Sequence, residues 1–161
     1  MTTGSGGRLT HVDETGAARM VDVSGKDVPV RTATATGRVL ASAEVVALLR
    51  GEGMPKGDAL AVARIAGIQA AKRTPDLVPL CHPVAVHAVE VDLEVLDDAV
   101  AVTATVRTAD RTGVEMEALT CVAVAGLTVV DMVKAVDRAA TITDVRVESK
   151  SGGRSGTWTR P

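Results

Sequence analysis

His82, in the string PLCHP, is the side chain type that titrates nearest neutral pH unaided, which suits it to general acid or base work. A lone loop histidine serves as readily to pack a turn. Cys81 beside it reads as a small buried hydrophobe, because no basic cluster stands near it in the sequence to lower its pKa. Asp131 and Lys134 are three apart, so they share one helical face, where an exposed ion pair is worth only about 0.2–0.5 kcal/mol. Both lie in or beside an apolar run, which is expected to desolvate at least one of them. A desolvated charge beside a charged partner is how an aspartate or lysine becomes useful near pH 7. Glu115 has a capping role open to it, whereas Glu117 has none and is the more suggestive carboxylate. Lys56, in GEGMPKGD just before a helix start, is placed to meet an anion, with a solvated loop lysine as the plain alternative. Asp22 reads first as a turn former. His87 is expected in the core or at a sheet edge, and His11 at the surface.

The element that must position the carboxylates is the long apolar-periodic segment over residues 112–136, TGVEMEALTCVAVAGLTVVDMVKAV. Thr112 followed three residues later by Glu115 fits a capping box. Met116, Leu119, Val122, Ala123, Gly126, Leu127, Val130 and Val133 recur at three- and four-residue steps and are expected to form the buried face. At about 1.5 Å per residue, Glu117 and Asp131 stand roughly 20 Å apart along such a helix. They cannot both touch one small group within one chain.

The other elements follow from spacing. Residues 28–40 alternate as a strand, with Thr32, Thr34 and Thr36 set against Arg31, Ala33 and Ala35. Ser42 can cap a short helix ending at Gly51, and Asp58 a second running to Lys72. Pro75, Pro79 and Pro83 make the stretch around LCH extended and stiff. Residues 87–95 and 100–107 alternate cleanly around the turn at Asp97 and Asp98, forming a hairpin with one wet face. A short strand is expected over 144–149, and nothing forbids another over 19–23. This order gives an α+β fold, the ferredoxin-like split βαβ arrangement, with helices on one face of an antiparallel sheet and an extra helix in the first crossover. Residues 1–8 and 151–161 are expected to be flexible tails around a single domain over 9–150.

Composition narrows the function classes. The hydrophobic fraction of 46% contains no Phe, no Tyr and one Trp, so the core must be assembled from many small contacts. A net charge of −2, with 18 basic and 20 acidic residues intermixed, offers no footprint for nucleic acid. Two cysteines make neither a disulfide framework nor a zinc site, and a cytoplasmic setting is expected. No signal peptide or membrane span is expected, and there is no P-loop, dinucleotide fingerprint, paired CxxC or HExxH.

Four strings, LTHVDETGAARMVDVSGK, KGDALAVARIAGIQAAKRTPDLVPLCHP, GVEMEALTCVAVAGLTVVDMVKAVD and KSGGRSG, closely resemble the cyclic pyranopterin monophosphate synthase family of molybdenum cofactor biosynthesis. The resemblance spans residues 9–156. It implies a ferredoxin-like fold in a homohexamer, a trimer of dimers, with active sites at subunit interfaces. It implies conversion of 3′,8-cyclo-7,8-dihydroguanosine 5′-triphosphate to the cyclic pyranopterin with loss of pyrophosphate. By matching position it places substrate contacts on Leu80, Cys81, His82, Met116 and Glu117, a catalytic aspartate on Asp131 and essential lysines on Lys56 and Lys134. Asp22, Arg31 and Glu115 match positions that line or support that site.

Ring opening and closure need protons moved at several atoms, and expulsion of pyrophosphate needs cations where negative charge grows. Asp131 with Lys134 suits the first task. Lys56 and Arg31 suit the second, with Lys72, Arg73 or Arg154 as further sources. No cofactor is firmly implied, and Mg²⁺ is compatible with a triphosphate substrate. The alternative is a ferredoxin-like sensor domain that binds a nucleotide without turning it over.

Overall fold

The computed structural model describes residues 10–12, 14–26, 28–51 and 58–161. The expected tail over 1–8 and the lysine at position 56 lie outside the described residues. In chain order the elements are β1 (Val30–Leu40), α1 (Ala43–Arg50), α2 (Ala59–Ala71), α3 (Thr74–Leu77), β2 (Val86–Val95), β3 (Ala99–Ala109), α4 (Glu115–Val133), β4 (Thr141–Ser151) and β5 (Trp158–Thr159). The strands form one sheet in the order β2-β3-β1-β4-β5, antiparallel throughout. The first four strands have the order of the ferredoxin-like fold, and β5 extends the sheet at the β4 edge.

Period-two alternation decides which face the helices cover. Ala33, Ala35 and Val39 of β1 and Val100, Val102, Ala104 and Val106 of β3 are buried under α4 and α2. Thr34 and Thr105 meet across the opposite face at 2.9 Å. The two caps form as expected: the Val45 N–H donates to Ser42 Oγ at 3.3 Å, and the Ala61 N–H to Asp58 Oδ1 at 3.0 Å. Small residues let the helices approach. A Cβ on Gly67 of α2 would lie 3.0 Å from the Cys121 carbonyl oxygen of α4, a contact that only a side chain of one hydrogen fits without adjustment.

Several expectations are corrected. The long helix starts at Glu115 with Val114 as N-cap and no side-chain cap, so the Thr112 capping box does not form. Glu115 turns instead toward Lys150, 3.4 Å away. The buried face of α4 is also rotated from the one expected: it consists of Glu117, Ala118, Cys121, Val122, Ala125, Gly126, Val129, Met132 and Val133, while Met116 and Leu127 are exposed. A helix apolar nearly all round carries little phase information. Over its 19 residues α4 is long and apolar enough to cross a membrane by length and composition, and half of that stretch is buried inside this fold.

The proline-bracketed segment begins as the single turn α3, and the Cys81 N–H closes a turn onto the Val78 carbonyl at 3.1 Å. Only from Cys81 onward is it free of regular structure up to β2. Residues 19–23 form no strand; an isolated bridge joins Val12 to Ala18 instead. His87 sits exposed on the edge strand β2, at a register irregularity between Val86 and Ala88 that takes it off the buried side. The final strand is longer than expected, and residues beyond it return to pair as β5 rather than trailing away.

Candidate functional site

A cleft of about 980 Å³ opens where three structures meet: the turn after α3, the start of α4, and the helix-facing side of β4 and β5. Leu80, Cys81 and His82 come from the turn, Glu115, Met116 and Glu117 from α4, and Val147, Lys150 and Trp158 from the strands. Five residues expected to contact substrate, with Glu115 expected to line or support the site, are thus brought together by two segments far apart in sequence.

Glu117 is the unusual group. It lies on the buried face of α4 with 3% of its surface exposed. Burial in apolar surroundings pushes its carboxyl up to about 7, with the neighbouring Glu115 charge adding to the effect and a backbone hydrogen bond opposing it. A carboxyl titrating there can donate or accept a proton at neutral pH. The Cys81 thiol is raised by burial and by the Glu117 charge, which leaves it a poor nucleophile. Cys121, deeper in the core, is pushed up to about 12 by burial alone.

A β-bulge brings the cationic side of the site into place. Ala33 pairs with Lys150 and Ala35 with Val147, so β4 spends three residues where β1 spends two. Val147 and Lys150 therefore both face the helices, although simple alternation would put them on opposite sides. Lys150 Nζ reaches Ser155 Oγ at 2.7 Å and the Glu115 carboxylate at 3.4 Å.

Two smaller depressions continue from this corner, lined by Lys26, Arg31, Lys150, Arg154 and Ser155 among others. Arg31 is held by donating from Nε to the Asp110 carbonyl at 3.0 Å and from a terminal nitrogen to the Arg111 carbonyl at 3.2 Å. Gly153, at φ +74°, passes so close that a Cβ there would lie 2.0 Å from the guanidinium. Lys26 and Lys150 carry no spacing signal that marks them in the sequence. Lys72 and Arg73 lie exposed at the end of α2, outside this groove.

Asp22 and His82 share a neighbouring depression. The Ser24 N–H donates to Asp22 Oδ1 at 2.9 Å, the turn-forming role expected of it, and this bond chiefly holds its carboxyl below the ordinary range. His82 Nε2 is hydrogen-bonded to the Val21 carbonyl. A carbonyl can only accept, so Nε2 carries a proton and the ring ties the N-terminal segment to the PLCHP turn.

Asp131 and Lys134 are elsewhere. They pair with each other at the C-terminal end of α4, with side chains 55% and 57% exposed, so the expected desolvation is overturned for the single chain. The apolar neighbours that suggested it, Val129, Met132 and Val133, point to the other side of the helix. Among the described residues no group of three or more His, Cys, Asp or Glu is arranged to hold a metal ion.

The α+β sandwich thus carries a cleft that joins a buried carboxyl to a row of cations. Residues 20–153 match the MoaC family model, and the chain belongs to that family. It is 76% identical over 153 residues to a cyclic pyranopterin monophosphate synthase of Streptomyces coelicolor, covering 95% of this chain and 90% of the relative. It is 73% identical over 157 residues to the enzyme of that name from a Nocardioides species, covering 96% of each. A cyclic pyranopterin monophosphate synthase 2 of Mycobacterium tuberculosis H37Rv is 60% identical over 154 residues, covering 96% of this chain and 92% of the relative.

Proposed function

We propose that this chain is an enzyme of molybdenum cofactor biosynthesis that converts 3′,8-cyclo-7,8-dihydroguanosine 5′-triphosphate to cyclic pyranopterin monophosphate and pyrophosphate. The observation that carries the reading is the polarity of the cleft: Glu117, titrating at about 7, at one end and Lys26, Arg31, Lys150 and Arg154 at the other. A guanine-derived base presents adjacent N–H donors that a buried carboxylate accepts, and a triphosphate needs the cations. Family membership and the names of the relatives support the same conclusion.

In this reading Leu80, Cys81, His82, Met116 and Glu117 hold the base, with Asp22 and Glu115 supporting the loops on either side. The sugar hydroxyl attacks the α-phosphorus, a cyclic phosphate forms, and pyrophosphate leaves with its new charge met by the basic groove. Mg²⁺ would arrive with the phosphates. Asp131 and Lys134 move protons during the ring rearrangement, while Lys56 joins Arg31 in holding phosphate. Asp131 and Lys134 reach the base only if a second subunit lays the end of its α4 at the cleft, in keeping with the homohexamer, a trimer of dimers, that the family resemblance implies. The exposed apolar side chains of α2 and α4, Val62, Ile65 and Leu127, suit such contacts. The setting is the cytoplasm, where Cys81 and Cys121 stay reduced.

Incubation with freshly made cyclised nucleotide is expected to yield the pterin, detected by its fluorescence after oxidation, and stoichiometric pyrophosphate, from a species eluting at hexamer size. Saturable binding without either product would mean a nucleotide sensor and overturn the reading.

A further inference from the structure

The chain has one Trp and no Phe or Tyr, and that Trp, Trp158, stands at the wall of the cleft. It lies beyond residue 153, where the match to the family model ends. Trp158 pairs directly with Lys150 across β4 and β5, and residues directly opposite in antiparallel strands project to the same face. Lys150 reaches the start of α4, so the indole is delivered to the same corner. Positive φ at Gly152, Gly153 and Gly156 lets the chain double back to make this pairing.

The ring is also held before any ligand arrives. The Arg160 guanidinium lies over it, 5.7 Å from the centroid. Arg160 is itself fixed: its N–H donates to the Glu148 carbonyl and its Nε to the Val147 carbonyl, both at 2.8 Å. The apolar lining beside it is aliphatic or sulfur-bearing, from Val78, Leu80, Met116 and Val147, and the smaller imidazoles of His11 and His82 are the other rings at the described wall.

We propose that Trp158 is a ligand-binding residue, the aromatic wall against which the flat heterocycle packs while Glu117 reads its edge. This rests on the proposed function for the identity of the heterocycle, though not for the stacking itself. A preset ring binds a planar ligand with little loss of side-chain freedom, and a guanine or pterin face is the natural complement. A structural role alone, sealing β5 onto β4, would leave Trp158 indifferent to what occupies the cleft.

With one Trp and no Tyr, the protein's intrinsic emission reports on this position alone. Titration with guanosine triphosphate, and separately with the cyclised nucleotide, is expected to quench that emission saturably, whereas inorganic triphosphate leaves it unchanged. Trp158→Ala is expected to raise KM for the cyclised nucleotide about tenfold with kcat within about threefold, and Trp158→Phe to recover most of the loss. Unchanged KM in a folded Trp158→Ala protein, or equal quenching by inorganic triphosphate, overturns the proposal. If wild-type protein is quenched by guanosine triphosphate yet fails to convert the cyclised nucleotide, the proposed reaction falls and the stacking site stands.

Discussion

The two ends of α4 carry the same kinds of residue in opposite conditions. At the N-terminal end Glu117 is 3% exposed and its carboxyl is lifted to about 7. At the C-terminal end Asp131 and Lys134 pair in the open, each side chain more than half exposed. The difference is one of phase: the helix turns Glu117 onto its buried face and turns Asp131 and Lys134 outward. Proximity to apolar residues in sequence therefore does not desolvate a charge; the side of the helix does. One end is an enclosed cleft within a single chain, and the other is an exposed ion pair that the proposed mechanism sets against a neighbour's cleft.

That contrast can be broken most severely by separating the two ends onto different chains. Glu117→Gln and Asp131→Asn are each expected to lower kcat/KM at least about a hundredfold, the lower range for losing a group that moves or orients protons. If sites are composite, proteins co-expressed with both variants will form some sites that combine an intact Glu117 with an intact Asp131 from a neighbour. Random mixing in a symmetric assembly restores about a quarter of wild-type activity. Co-expressed variants no more active than the parents would show that one chain supplies both ends, and the interface reading would be lost.

Stability should distinguish the ends next. The Glu117 carboxyl titrates at about 7 when folded against an ordinary value of 4.5, so between these the folded protein keeps a proton that the unfolded chain releases. The native state is therefore least burdened below pH 4.5 and loses stability as pH rises toward 7, by about 3 kcal/mol once the charge is buried. Glu117→Gln removes this dependence. Above pH 7 it should melt several degrees higher than wild type, and the gain should vanish at pH 4.5, while activity falls. Equal melting temperatures at pH 8 would mean that water or a cation already compensates the buried charge. Lys150, which reaches Glu115 at the same cleft, is the cation in a position to do so.

Legibility in the sequence tracks how strongly one face of each element differs from the other. β1, β2 and β3 alternate because one face is wet, and Ser42 and Asp58 announce their helices, so the split βαβ order can be read from pattern. β4 shows no alternation, since its bulges shift parity, and Lys150 arrives on the helix side by a step no periodicity predicts. α4 is apolar almost all round, so its existence was plain and its rotation was not. Trp158 sits in a Gly- and Ser-rich stretch whose composition resembles a tail, and only strand pairing reveals its direction. The grouping of residues 80–82 with 115–117 came from the family resemblance, because nothing local ties a loop histidine to a carboxylate thirty-five residues away.

The smallest expected effect is the sharpest check on the C-terminal end. Asp131→Asn removes one partner of an exposed i, i+3 pair, so the stability change should stay within about 0.5 kcal/mol. Activity is meanwhile expected to collapse, and that dissociation between folding and turnover is what a group exposed in its own chain and engaged at a neighbour's cleft should display. A destabilisation of about 2 kcal/mol or more would instead mean that assembly buries the pair as a structural ion bridge. The carboxylate would then be holding subunits together, and proton transfer would have to be assigned to Lys134 or Glu117.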